Sequence, residues 1–369
     1  QGTRLGFDGP KGTFPVGPIT GRTLFQYHTE KILALEKRYY CTIPFYVMTS
    51  EATHDQTIAY FSGNDYFGKE KSSFVFFRQR VLPAFDAKGK ILLADKWQVS
   101  MSPDGHGGLL KALVKNHLLE DMRRRGVETL FYFQVDNVLI KIADPVFLGF
   151  HLLREAEMSA KTVYKRDPYE KIGHIGRIDG KYATVEYTEL SDAEKNASNA
   201  DGRLKFAQGS IAIHAFSRSF FQRLADEKVE LPYHLAHKKI PFVNNVGQMV
   251  NPQRPNGFKF EQFIFDALPL ANKVMVMETN RDEEFAPIKD KDGVDSPMTA
   301  RQALCDLNGT WLEKCGYAVK RGSEGHVINK IEISPLFALD ESEFGKKLPK
   351  GLPSDGNILL EEEAKSLSQ

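Results

Sequence analysis

The sequence predicts an α/β protein: a mixed sheet flanked by helices, followed by a small, mostly β C-terminal part. Three observations carry the α/β reading. Residues 44–50 (PFYVMTS) and 129–135 (TLFYFQV) are apolar runs of strand length, Leu109 to Arg125 carries apolar residues at helical spacing, and 326–334 (HVINKIEIS) alternates. Strands alternating with helices build sheets whose ligands sit beyond the carboxyl ends of the strands.

Each element has its own signal. Residues 44–50 end in small polar side chains, as a buried strand entering a loop would, and Glu51 to Phe61 then reads as a helix. Phe74 to Phe77 is a second short strand. In the next helix Leu110, Leu113, Val114, Leu118 and Met122 form the apolar stripe, and Gly126 is its stop signal. The run at 129–135 is continuous rather than alternating, which suits the centre of a mostly parallel sheet. Ser191 to Gly202 is a polar loop. Beyond about Asp290 the periodicity weakens, apart from a short helix near Thr299 to Leu312, and Glu361 to Glu363 reads as a solvated tail. The resulting division is 1–290 for the main α/β unit and 291–369 for a C-terminal one.

Composition narrows the partners. With 41% hydrophobic and 26% charged residues, this is an ordinary globular chain, and a net charge of +1 gives no global field to draw nucleic acid or a membrane surface. An anionic ligand must be gripped by a few placed cations and N–H groups. No apolar stretch approaches the ~20 residues that cross a bilayer. Cys41, Cys305 and Cys315 are an odd set without metal-ligand spacing, which points to a reducing cytoplasm. The triplets at Asn196 and Asn308 read as chance glycosylation matches. The chain opens on Gln1 and runs at once into a glycine-rich segment, so the expectation is a fragment.

That opening segment, Gly2 to Gly17 (GTRLGFDGPKGTFPVG), holds five glycines with Thr3, Arg4 and Lys11. Glycine lets backbone N–H groups approach an anion, and the two cations add charge-assisted bonds to phosphate oxygens. The spacing is not that of a Walker A loop, and a Gly/Pro-rich surface turn is the competing reading. Asp136 and Asn137 follow the 129–135 strand, where a carboxylate can hold Mg²⁺ beside substrate phosphates or simply make a turn. The stretch 102–108 (SPDGHGG) precedes the amphipathic helix and presents either N–H groups or, through Asp104, a cap. Gln79, Arg80, Glu186 and Tyr187 taken singly are surface residues. His214, in an apolar IAIH run, is a core histidine, and Lys289 lies in a charged loop (EFAPIKDKDG).

In sequence order GTRLGFDGPKG, PFYVMTS, FFRQRVLPAF, VSMSPDGHGGL, QVDNVLIKIADP, TVEYTELSD, GSIAIHAF, KKIPFV, PNGFKFEQFIFD, EFAPIKDKDG and SPMTARQAL resemble eukaryotic-type UDP-N-acetylglucosamine pyrophosphorylases, within the wider UDP-sugar pyrophosphorylase family. The likeness runs from Gly2 to about Leu304, with IEISPL beyond it. The resemblance implies a nucleotide-diphospho-sugar transferase (GT-A/Rossmann-like) fold, relative to which the N-terminal strand and N-terminal domain are expected to be missing here, and a UTP–sugar-1-phosphate uridylyltransferase that releases pyrophosphate. It places Gly2, Thr3 and Arg4 along the triphosphate and Lys11 on the phosphates. Gln79, Gly105 and His106 fall on the uracil side, and Asp136 by the ribose and a Mg²⁺ (or Mn²⁺) ion. Gly173, Glu186, Ser210, Phe263 and Phe265 line the sugar pocket, and Lys289 reaches the phosphates. The chemistry it implies is in-line attack on the α-phosphorus, which asks for charge neutralisation rather than a strong base. Two positions depart from the relatives, which usually have Asn where this chain has His106 and Ser210. Glucose 1-phosphate or a broader sugar set is therefore the alternative substrate class. A glycosyltransferase and a truncated, non-catalytic nucleotide-sugar-binding module are the remaining readings.

Overall fold

The computed structural model describes residues 3–349, 351–352 and 356–362, so Gly2 of the predicted phosphate loop lies outside it. Helix α1 (Leu24–Tyr39) starts where the Thr23 side chain accepts the Gln26 N–H, and it ends at a left-handed Tyr40. The chain then runs through β1 (Phe45–Thr49) and α2 (His54–Gly63) to β2 (Phe74–Arg78), which lies parallel to β1 with Phe45 opposite Phe74. Both strands stand where the apolar runs predicted them. The predicted helix at 51–61 begins with one 3₁₀ turn, Glu51–Thr53, before α2.

The helix expected over 109–125 is two helices, α3 (Leu109–Lys115) and α4 (Leu118–Arg124). His117 between them is left-handed, at φ 56°, so the chain breaks while the apolar stripe continues across the break. Leu110, Leu113, Leu118 and Met122 are buried, but Val114 is exposed. Gly126, at φ 71°, ends the segment in a conformation that favours glycine.

After β3 (Thr129–Tyr132) come β4 (Met158–Tyr164), β5 (His174–Ile178), β6 (Lys181–Val185) and β7 (Gln208–Ser217). Helix α5 (Arg218–Asp226) follows, then β8 (His234–Lys238), β9 (Gly257–Glu261) and β10 (Val274–Glu278). The main sheet has the order β6-β5-β7-β4-β10, with β3 pairing the far half of β7. β4 and β10 are parallel, whereas β3 is antiparallel to β7, with Tyr132 opposite His214. The expectation of a mostly parallel sheet around 129–135 is corrected here. A strand covered on both sides is apolar throughout whichever way its neighbour runs, so the pattern could not give direction. The core between this sheet and α3, α4 and α5 includes Phe216, Phe220, Phe221, Leu113 and Met122. Truncating one such phenylalanine to alanine costs about 3–5 kcal/mol.

The facing edges of β1 and β3 share no backbone ladder among the described residues, and a cavity of about 860 Å³ lies between them. Its lining includes Thr49 at the end of β1, Gln79 just past β2 and Gln134 to Asp136 past β3.

The C-terminal part is less β than its alternation suggested. It holds α6 (Pro297–Lys314), β11 (Ile331–Ile333), α7 (Glu341–Lys347) and β12 (Ile358–Leu360), so its two strands have three residues each. Helix α6 runs past both predicted ends; its start is set by Ser296 and Thr299, which form a capping box with Pro297 in the first turn. Asn308 is buried on α6 and donates to the Ile331 carbonyl, so its triplet belongs to the core. Of the acidic run, Glu361 pairs with Arg22 and Glu362 with Lys37 of α1, so these two are more than a solvated tail, while Glu363 lies outside the described residues. Beside them the fully buried Glu332 of β11 accepts from Ile19 N, Thr20 N, Thr20 Oγ1, Tyr27 OH and Arg22 Nη1 at 2.5–3.2 Å, joining the two ends of the chain.

Candidate active site

Lys11 stands in a 3₁₀ turn, Lys11–Thr13, pressed onto α1 at Gly12, where a Cβ would lie 2.3 Å from the Phe25 ring. That close approach fixes the turn and aims the lysine: Lys11 Nζ lies 3.2 Å from Asp136 Oδ2, and both side chains are largely buried. Asp136 is four residues past the end of β3, and its carbonyl accepts the Ile288 N–H at 3.0 Å. Asn137 holds the same join, donating from Nδ2 to the Glu284 carbonyl and accepting the Ala286 N–H on Oδ1. Residues 284–288 are thus stitched to the strand end, which brings in Lys289, whose Nζ is 3.2 Å from Asp295 Oδ2. Arg4 arrives by a similar route: Lys291 N donates to its carbonyl, and its guanidinium lies 3.5 Å from Asp290. Backbone bonds thus bring the segments of Arg4 and Lys289 beside the Lys11–Asp136 join, each cation next to a carboxylate, but neither Arg4 nor Lys289 borders the cavity that Lys11 and Asp136 line. The Arg4–Asp290 pair is exposed and weak, so the arginine is free to exchange partners.

Gln79 follows β2; its N–H donates to Thr49, and its Nε2 lies 3.4 Å from the Gly105 carbonyl. The glycines of 105–108 prove necessary for a reason the sequence did not give. A Cβ on Gly105 would lie 2.4 Å from the Gln262 carbonyl, and one on Gly107 2.5 Å from Phe263 N. The loop is bonded to that neighbour by Gly107 N–H to Gln262 O and Gln262 N–H to Asp104 O, each 2.7 Å. Asp104 does not cap α3; its fully buried carboxylate sits under Gly108, with Arg80 Nε at 3.4 Å. Burial pushes this carboxyl up, and Arg80 opposes the shift. His106 accepts the Ile264 N–H on Nδ1 and stacks on Phe263 at 5.2 Å. Burial, helped by the charge of His234, lowers its pKa to about 4, so the ring is neutral near pH 7. Lys11, Gln79, Gly105, His106 and Asp136 all border the cavity between β1 and β3.

On the opposite side, Gly173, Glu186 and Ser210 come together. A Cβ on Gly173 would lie 2.8 Å from Glu186 Oε1, and Ser210 N donates to the Gly173 carbonyl at 2.7 Å. Ser210 begins a bulge in β7 that ends at Ile213 and puts Ala212 at φ 54°. Bulges re-aim side chains beside functional sites. Burial and then Glu189 push the Glu186 carboxyl upward. Phe263 and Phe265, 5.1 Å apart, start the turn Ile264–Leu270, against which β6 packs. Thr3 stands in the opening 3₁₀ turn Thr3–Leu5. His214 is fully buried and stacked against Tyr132, a core histidine as read from the sequence.

Among the described residues no three His, Cys, Asp or Glu side chains gather as a metal cage. Asp136 is a single carboxylate beside Lys11. That suits a hard divalent cation held mainly by substrate phosphates, not a resident all-protein metal centre.

The family model described as UTP--glucose-1-phosphate uridylyltransferase matches residues 1–318. The chain belongs to this family. It is 42% identical over 357 residues to the UDP-N-acetylhexosamine pyrophosphorylase-like protein 1 of Xenopus tropicalis, covering 91% of this chain and 70% of the relative. To the UDP-N-acetylglucosamine pyrophosphorylase of Saccharomyces cerevisiae it is 43% identical over 345 residues, covering 90% and 72%. The crystal structure of the Trypanosoma brucei uridine diphosphate N-acetylglucosamine pyrophosphorylase, solved with an inhibitor, superposes with a TM-score of 0.84 at 30% identity, covering 98% of this chain and 77% of that one. Within this uridylyltransferase family member, sequence reading missed Asn137 and Gln262 as organisers. Their signal is only an Asn after a strand and a buried Gln before an aromatic pair. His234 and Asp266 were missed outright.

Proposed function

We propose that this chain makes UDP-N-acetylglucosamine and pyrophosphate from UTP and N-acetylglucosamine 1-phosphate. The observation that carries the reading is the Lys11–Asp136 pair sharing one cavity with Gln79 and Gly105. Relatives bearing that enzyme's name at about 40% identity support the choice of reaction. The attacking sugar-phosphate oxygen is already ionised at neutral pH, so the protein has to align two anions and neutralise the leaving pyrophosphate. In this reading Lys11, Arg4 and Lys289 take the phosphate charge, with Gly2 and Thr3 alongside them. Gln79, Gly105 and His106 frame the base. Gly173, Glu186, Ser210, Phe263 and Phe265 hold the sugar. Mg²⁺ (or Mn²⁺), when bound with the nucleotide, would be held by Asp136 and would offset charge on the phosphoryl oxygens. Residues 1–290 are the catalytic unit; 291–369 form a second unit with its own apolar cluster around Leu312, Ile331 and Phe344. Three free cysteines support a cytoplasmic setting.

Glucose 1-phosphate is the second reading, favoured by Ser210, which puts a short hydroxyl at the bulge where an amide could read an acetamido group. Pyrophosphate release from UTP, measured with a panel of sugar 1-phosphates, tests both. N-acetylglucosamine 1-phosphate should give the highest kcat/KM. A higher value with glucose 1-phosphate would replace the first reading by the second, and no sugar-dependent release would sink both.

A further inference from the structure

A pocket for a sugar phosphate has to admit an anion, yet Glu186, Glu189 and Asp266 crowd the sugar side of this one, close enough to influence one another. Burial pushes both Glu186 and Asp266 upward, and Glu189 adds to the shift on each. A lone group of desolvated carboxylates would repel the substrate. The basic group set among them is His234, whose Nε2–H donates to Asp266 Oδ2 at 2.8 Å. Its side chain is 30% exposed and that of Asp266 13%, so the pair lies at the rim rather than in the core.

His234 also governs a ring. It stacks on Phe263 at 4.5 Å with 26° between planes, and Phe263 stacks in turn on His106 of the base loop. The fold makes this contact unavoidable. His234 opens β8 opposite Glu261, the last residue of β9, and Phe263 follows two residues later. Asp266, in the turn after Phe263, then locks the imidazole from the other end.

We infer that His234, held by Asp266, is a positioning residue for sugar recognition: it sets the Phe263 ring through its stack and its bond to Asp266. The inference rests on the reading of Phe263 and Phe265 as sugar-lining residues. Two contacts separate its roles, since a phenylalanine at 234 keeps the stack and loses the donor, whereas a leucine loses both.

The test is steady-state kinetics of pyrophosphate release on the full chain, with thermal unfolding of each variant. His234→Leu should raise KM for the sugar 1-phosphate about tenfold, with KM for UTP and kcat within about twofold. His234→Phe should fall between, and Asp266→Asn, which keeps an acceptor, should stay near the parent. Phe263→Ala is the control. If it raises the sugar KM and His234→Leu does not, the role of His234 is overturned. If Phe263→Ala itself leaves the sugar KM unchanged, the sugar-pocket reading beneath it fails. Equal rises in both KM values with a lowered Tm in His234→Leu would make the residue a fold element and overturn the proposal.

Discussion

Lys11 Nζ and Asp136 Oδ2 lie 3.2 Å apart although 125 residues separate them, and the pair joins the glycine-rich turn to the end of β3. Both side chains are mostly withdrawn from water, so each is the other's main counter-charge. A triphosphate with its metal would give both a stronger partner: the lysine an anion, the carboxylate a cation. The pair thereby holds the two groups of the proposed mechanism in place.

Lys11→Ala should therefore lower kcat by at least about 100-fold, as removal of one transition-state charge contact does. The Tm should move by only a few degrees, because Gly12 and Phe25, not the ammonium, anchor the turn. Lys289→Ala should behave alike. Normal turnover in both variants would end the assignment of these cations to the phosphates.

Asp136→Asn keeps the shape of the join to Ile288, which runs through the backbone. The expected result is a loss of kcat with a raised requirement for Mg²⁺, read as a shift of the metal activation curve to higher concentration. EDTA should abolish the parent's activity. An unchanged activation curve in Asp136→Asn would remove this carboxylate from the metal's surroundings.

How much of this was legible beforehand follows the range of the interactions. Lys11 stood out by its glycine run, whereas Gln79 taken singly read as a surface residue. Their contacts with Asp136 and Gly105, 125 and 26 residues away, are tertiary, and no spacing encodes them. The direction of β3 was hidden for a different reason: burial on both faces erases the alternation that would mark its neighbours. His117 broke a helix whose apolar stripe ran on, and the stripe reports only which face is buried. The glycines at 105 and 107 were recognised, but the reason for them, the backbone of Gln262 and Phe263 lying against them, is tertiary.

Glu332 gives a stability prediction. Burial alone would raise its carboxyl, yet hydrogen bonds from Thr20, Ile19 and Tyr27 hold it below its usual value. A depressed carboxyl contributes stability above its unfolded pKa of about 4.3 and loses it as pH falls through the folded value. Glu332→Ala strands Thr20, Tyr27 and two backbone N–H groups, and should cost about 3–5 kcal/mol in urea unfolding at pH 7. A loss below about 1 kcal/mol would mean that water replaces the carboxylate.

Ser210→Asn tests selectivity directly. The serine opens the bulge next to Gly173 and Glu186, so a longer side chain there gains reach toward the sugar without disturbing the ladder beyond Ile213. Its amide should shift the kcat/KM ratio toward N-acetylglucosamine 1-phosphate over glucose 1-phosphate by about tenfold, the scale of one polar contact. Identical ranking of the two sugars by parent and variant would show that this position does not read the substituent.

Buried neutral histidines set the acid limit. Burial lowers His28 and His214 to about 3 and His106 to about 4. Each ring takes a proton in the unfolded chain below about pH 6.5 and refuses it in the folded one, so stability falls as pH drops from that value toward the folded pKa. Within the window each histidine steepens the loss by up to about 1.4 kcal/mol per pH unit. His214 is the cleanest probe, since it touches Tyr132 and Phe216 rather than the phosphate cations. His214→Phe keeps the ring and removes the titration. Between pH 6 and 4.5 its unfolding free energy should decline less steeply than the parent's, by about one proton. Parallel slopes would mean that His214 is protonated in the folded core, which its burial argues against.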